Sequence, residues 1–161
     1  MAVAQHHLKV ALVEPEIPHN TGAVGRSCLA LGAQLHLVHP MGFRLSDEQV
    51  RRSGLDYWQH VQPVMHDSLD GFISAVPDPE RFWLFTTKAG RNLYEVDFAE
   101  SDWLVFGPES RGLPGQLLEA NPDRLLRIPM ATTHVRSLNL ANAVSVALYE
   151  AWRQLNHPSA E

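Results

Sequence analysis

Phe106-Gly107-Pro108-Glu109-Ser110-Arg111-Gly112-Leu113-Pro114 is followed by Ile128-Pro129-Met130, and then by Arg136-Ser137-Leu138-Asn139-Leu140-Ala141-Asn142-Ala143-Val144-Ser145. Each cluster is rich in Gly, Pro or Asn and adjoins an apolar run, so each reads as a loop at the end of an element. Taken singly, any of them is an ordinary turn. Together they suggest one composite pocket, because an open α/β sheet gathers its ligands where strand carboxyl ends and helix amino ends converge.

Working outward, short apolar runs recur at Leu8 to Val13, Leu35 to Val38, Phe82 to Phe85, Trp103 to Phe106 and Leu125 to Ile128, with helix-like segments between most of them. The alternation predicts an α/β domain with a mostly parallel sheet flanked by helices. Asn20 or Thr21 is expected to cap a helix through Leu31, Ser46-Asp47-Glu48-Gln49 fits a capping box, and Pro114 suits the first turn of a short helix through Ala120. Pro77-Asp78-Pro79 and Asn121-Pro122 mark turns. A final helix over about Leu138 to Leu155 shows the strongest period: Leu140, Val144, Ala147, Leu148, Ala151 and Leu155 share a core-facing stripe. Asn142, Ser145 and Tyr149 lie on its other side, a solvated surface, an interface or the wall of an active site.

At 161 residues, with 45% hydrophobic and 19% charged residues, the sequence predicts one domain over 1–161 whose core needs no disulfide or metal. The lone Cys28, at helical spacing from Val24 and Leu31, reads as a small core residue. No apolar stretch reaches the length of a signal or membrane segment, so the expected location is cytoplasmic, without membrane association. A net charge of −5 argues against a general polyanion binder but leaves room for a local basic face. Eleven of the basic residues are Arg, a group suited to phosphates and bases, though an arginine-preferring genome accounts for the count equally well.

Nine histidines never fall in a HExxH or CxxC-type ligand spacing, and no metal is expected. Neither a P-loop, a dinucleotide fingerprint nor a G-x-S-x-G elbow is present. Glu14-Pro15-Glu16-Ile17-Pro18-His19-Asn20-Thr21-Gly22 follows a strand and opens a helix, with Arg26 a turn further on; such a start either holds a phosphate or is a plain capped helix with an exposed Arg. Met41-Gly42-Phe43-Arg44 and Arg51-Arg52-Ser53-Gly54-Leu55-Asp56-Tyr57-Trp58 mix Arg with aromatics, which suits unpaired bases or an exposed helix.

From Val10 to Trp152 these motifs resemble the SPOUT superfamily of trefoil-knotted RNA 2'-O-methyltransferases, and within it the group acting on the tRNA wobble nucleotide. The pieces specific to that group are Glu14-Pro15-Glu16-Ile17-Pro18 with Asn20-Thr21-Gly22, Pro40-Met41-Gly42-Phe43, Arg52-Ser53-Gly54-Leu55-Asp56-Tyr57 and Tyr149-Glu150-Ala151-Trp152-Arg153-Gln154-Leu155. The resemblance implies a SPOUT α/β-knot, its C-terminal third threaded through a loop as a trefoil knot. It also implies S-adenosyl-L-methionine held by backbone groups of Thr86, Gly107, Ile128, Ser137 and Leu138, and Arg111 with Tyr149 as the catalytic pair. Asn142 and Ser145 would support the loop, and Asn20, Arg26, Arg44, Arg52 and Tyr57 would meet RNA. The implied substrate is the anticodon stem-loop, methylated at cytidine or uridine 34, with leucine tRNAs foremost, and the implied assembly is a homodimer. Methylation at another tRNA or rRNA position, or a non-catalytic knotted RNA-binding protein, are the alternatives. Val135 and Ala141 stand where relatives carry hydroxyls, and an extra residue falls near Thr132 to His134; backbone contacts to the cofactor should survive both.

Overall fold

The computed structural model describes residues 8–46, 50, 52, 56–76 and 78–157. Six parallel strands form one sheet: β1 (Lys9–Val13), β2 (Gln34–Val38), β3 (Val64–His66), β4 (Phe82–Phe85), β5 (Trp103–Phe106) and β6 (Leu125–Leu126), in the order β3-β2-β1-β5-β4-β6. Helices α1 (Pro18–Leu31), α2 (Trp58–Val61), α3 (Leu69–Ala75), α4 (Gly115–Ala120) and α5 (Leu140–Asn156) flank it. The central strands are buried on both faces, which is why their sequences are nearly continuous apolar runs.

Alternate residues serve opposite faces. Val10, Leu12, Leu35, Leu37, Leu104 and Phe106 pack against Val24 and Cys28 of α1 and Val144, Ala147, Leu148 and Ala151 of α5. Ala11, Val13, Val38, Trp103 and Val105 pack against Phe72 of α3 and Leu118 of α4. Cys28 is fully buried, and its apolar surroundings push the thiol up to about 12. The expected stripe on the last helix is the one buried, with Leu155 at its margin. On the second face His36 and His66 stack 5.2 Å apart and share a hydrogen bond of 2.9 Å between Nδ1 and Nε2.

Several local expectations change. Helix α1 starts at Pro18 rather than after Asn20 or Thr21, because proline presets the helical φ and needs no N–H partner at the first position. Asn20 and Thr21 are buried inside its first turns. Strand β3 escaped the sequence reading, since three residues at a sheet edge leave no alternation to read. The run to Ile128 is a strand only at Leu125–Leu126; beyond it Arg127 pairs with the loop at Arg91 to Leu93. The capping box at Ser46-Asp47-Glu48-Gln49 lies largely outside the described residues, as do Arg51 and Pro77.

The connection that decides the topology follows β5. This strand enters between β1 and β4, the chain then crosses to β6 beyond β4, and it returns through 127–139 to lay α5 against α1. That return is the segment expected to be threaded as a trefoil knot. At the exit of β5 the turn is closed by Gly112 N–H donating to the Pro108 carbonyl at 2.9 Å, with Gly112 at φ 71°, a left-handed conformation suited to glycine.

Two measurements test this frame. A Cβ on Gly107 would lie 2.2 Å from the Leu113 nitrogen and 2.3 Å from the Gly112 carbonyl carbon, backbone atoms that cannot rotate aside. Gly107→Ala is expected to lower the urea unfolding midpoint by the equivalent of ~3 kcal/mol or more, at or beyond the upper end for overpacked sites; a wild-type midpoint would show that the turn opens freely. Burial, with the neighbouring His66 and Lys9 charges, depresses His36 to about 4 from an ordinary 6.5. Between those values the unfolded chain binds a proton that the folded chain refuses, so this group's stability contribution is complete above pH 6.5 and is lost as pH falls towards about 4. His36→Gln should flatten the pH dependence of the urea midpoint across that window, and an unchanged slope would contradict the assignment.

Candidate active site

The carboxyl ends of β4, β5 and β6 open into a cleft of about 550 Å³. Its floor is apolar: Phe85 and Phe106, the last residues of adjacent strands, stack at 4.6 Å with their rings 10° from parallel, and Leu126 lies beside them. Its walls are the loops that follow those strands and the segment leading into α5. All five expected cofactor residues line it, namely Thr86, Gly107, Ile128, Ser137 and Leu138. The Thr86 N–H is already donated to the Leu126 carbonyl at 2.9 Å, which ties the first wall to the third.

A second set of contacts fixes the Glu109-Ser110-Arg111 wall against the segment after β1. Glu16 N–H donates to Glu109 Oε2 at 2.8 Å, Ile17 N–H to Oε1 at 3.2 Å, and the Asn20 amide to Oε1 at 3.4 Å. In return Ser110 donates to Glu16 Oε1 through its N–H at 3.2 Å and its hydroxyl at 2.6 Å. Those two bonds hold the Glu16 carboxyl below its usual range. Arg111 lines the cleft and sends Nη2 to within 3.4 Å of Glu14 Oε2.

This arrangement bears on the two readings of the start of α1, a phosphate site or a plain capped helix. The helix has no side-chain cap of its own, and its positive end is met by the protein's own Glu109 carboxylate. Asn20, expected at RNA, is buried, with its amide shared between Glu109 and Asn139, whose Nδ2 donates to Asn20 Oδ1 at 3.1 Å. Asn139 also caps α5, accepting from the N–H groups of Ala141 and Asn142 at 2.9 and 3.2 Å. Sequence reasoning missed Glu109 and Asn139 as bracing residues. A carboxylate directly after the Gly107-Pro108 pair and a polar residue directly before the long helix were the available signals.

The other expected residues lie elsewhere. Arg26 is exposed on α1 over the ring of Tyr57 at 5.5 Å, and Tyr57 donates its hydroxyl to the Gly22 carbonyl at 3.2 Å, so these two form one Arg-aromatic patch. Arg44 and Arg52 are both exposed. Ser145 pairs with the Ser27 hydroxyl at 2.9 Å, joining α5 to α1. Tyr149 is half exposed and does not line the cleft. It stands six residues beyond the cleft residue Ala143, about 9 Å along the helix axis. Within one chain, therefore, Arg111 and Tyr149 are not brought together at the cleft. Among the described residues there is no group of three or more His, Cys, Asp or Glu side chains that could hold a metal, and no helix long and apolar enough to cross a membrane.

Comparison with known proteins agrees with this geometry. A tRNA (cytidine(34)-2'-O)-methyltransferase of Burkholderia cenocepacia is 49% identical over 147 residues, covering 90% of this chain and 94% of that protein. A solved structure described as "Structural insights into the 2-OH methylation of C/U34 on tRNA" superposes with a TM-score of 0.89 at 51% identity, covering 94% of this chain and 98% of the other. The SpoU methyltransferase AviRb of Streptomyces viridochromogenes, solved with the cofactor AdoMet, superposes with a TM-score of 0.80 at 27% identity, covering 98% of this chain and 61% of AviRb. The SpoU rRNA Methylase family matches residues 7–149, and with its loops gathered at one end of a parallel sheet the chain belongs to that family and has its knotted SPOUT fold.

Proposed function

We propose that this protein methylates the ribose 2'-hydroxyl of the wobble nucleotide of tRNA, cytidine or uridine 34, using S-adenosylmethionine. The observation that carries the reading is the single cleft that gathers Arg111 and all five expected cofactor positions, in a chain whose near-full-length relatives carry that activity in their names. Leucine tRNAs are the proposed substrates, the cytoplasm the proposed location, and one domain the proposed unit.

The cleft suits the cofactor. Its volume falls in the ordinary range of small-molecule sites, ~300–1,000 Å³. Phe85, Phe106 and Leu126 offer an apolar floor for a flat base, and the loop backbone at Gly107, Ile128, Ser137 and Leu138 offers donors and acceptors for polar edges. When bound there, S-adenosylmethionine supplies an electrophilic methyl group. The residues supply position and charge: a guanidinium has donors only, so Arg111 orients the hydroxyl and stabilises the negative charge that develops on its oxygen rather than removing its proton. Tyr149 carries a hydroxyl able to accept or relay that proton. No divalent metal takes part in this scheme.

Because Arg111 and Tyr149 stand apart in one chain, a homodimer is proposed in which one protomer's Tyr149 meets its partner's cleft. The Arg26 and Tyr57 patch, with Arg44 and Arg52, would then receive the anticodon stem-loop.

Methyl transfer from labelled cofactor into total tRNA, followed by mapping of the modified ribose, tests the activity. Label at position 34 is expected, whereas label at another tRNA or rRNA position, or none, would replace this reading with one of its rivals. Arg111→Ala should cut turnover about 10²-fold or more with cofactor affinity nearly unchanged, and Arg111→Lys should restore little, lacking the planar fork. Equal loss of binding and turnover would make Arg111 a brace of the loop. Co-expressed Arg111→Ala and Tyr149→Phe chains should recover about a quarter of wild-type activity, since half of the dimers are mixed and each mixed dimer keeps one intact site. Absence of recovery would place both residues in the same protomer's site, and a Tyr149→Phe homodimer that is fully active alone would make Tyr149 dispensable.

A further inference from the structure

Glu14 directly follows β1 and holds an unusual conformation. Its N–H donates to the Val38 carbonyl at 2.9 Å, continuing the strand ladder, while its φ of 51° puts it in the left-handed region that a side chain with a Cβ disfavours. Its carboxylate lies 3.4 Å from Arg111 Nη2, in a pair whose side chains are 21% and 64% exposed. An ion pair so open to water does little for stability. A strained backbone kept for a contact of little structural worth points to a role at the site.

The neighbouring contacts give that role its geometry. Three consecutive residues, Glu109, Ser110 and Arg111, are each tied to the segment 14–17: the first by the N–H groups of Glu16 and Ile17, the second by the Glu16 carboxylate, the third by Glu14. The first two ties fix the backbone of the loop. Among the described residues, only the tie to Glu14 acts on the Arg111 guanidinium itself. Arg136, the other arginine lining the cleft, has no carboxylate partner among the described residues.

We propose that Glu14 is a positioning residue for Arg111, aiming its guanidinium into the cleft before RNA arrives. One of the five N–H donors of the guanidinium is engaged by the Glu14 carboxylate, leaving the others for the ribose hydroxyl and an adjacent phosphate. Pre-setting the guanidinium lowers the cost of organising the transition state, an effect seen in kcat rather than in cofactor binding. The inference rests on the reading in which Arg111 acts at the ribose.

The test compares Glu14→Gln and Glu14→Gly, alone and combined with Arg111→Ala, measuring kcat and KM for tRNA, cofactor affinity by calorimetry and the thermal midpoint. Glycine relieves the left-handed strain, so that variant should fold at least as well as the wild type. Both single variants are expected to lose about 10-fold in kcat, with cofactor affinity within about 2-fold of wild type, and neither should lower turnover further once Arg111 is alanine. Losses that add to that of Arg111→Ala, or a Glu14→Gly enzyme with wild-type kcat, would overturn the assignment. If Arg111→Ala itself keeps normal turnover, the underlying catalytic reading falls; if it loses turnover while both Glu14 variants keep theirs, only the positioning role falls.

Discussion

The Glu109 carboxylate sits on the N–H groups of Glu16 and Ile17 just ahead of α1, 93 and 92 residues away in sequence, and the rest of the site is arranged around that contact. A helix start without its own cap leaves donors and a partial positive charge exposed, and an anion there is favoured by hydrogen bonding and by the helix dipole together. Here the anion comes from the loop that forms one wall of the cleft. The same contact places a negative charge at the helix start, pins the wall and, through Asn20 and Asn139, reaches the cap of α5. The beginning and the end of the fold therefore meet at one carboxylate.

This economy explains why the pocket is built from loops yet closely tied together. Thr86 bonds to the end of β6, Leu93 N–H donates to the Arg127 carbonyl and Arg127 N–H to the Arg91 carbonyl across the same seam, and the 109–111 wall is held by the segment after β1. Each wall is fixed by a neighbour distant in sequence. The parallel order that inserts β5 between β1 and β4 is what allows it, because it puts the loop after β5 beside the loop after β1.

Much of this was legible in the residues. Buried parallel strands announce themselves as apolar runs, so β1, β2, β4 and β5 were readable to within a residue or so, and the stripe on α5 was readable because a long helix repeats its pattern. The short edge strand Val64–His66 was not, since its pairing partner rather than its own composition makes it a strand. In the cleft, positions held by strand ends could be grouped from the sequence, because the topology carries every such loop to the same edge. The bonds that carry the site between distant segments could not be read: nothing in the composition near Glu109 shows that Glu16 and Ile17 face it. Likewise, helical periodicity puts Tyr149 on a polar face but does not say that the face lies along the helix from the cleft.

Cys28 gives this architecture a built-in reporter. It is the chain's single cysteine, it lies in the core where α1 packs beneath α5, and its thiol is held uncharged far above neutral pH. Only a thiolate reacts readily with alkylating or disulfide reagents, so the native protein is chemically silent towards them. Reaction requires the helices to separate, and the rate of modification therefore clocks the opening of the threaded helix from its bed without any engineered label.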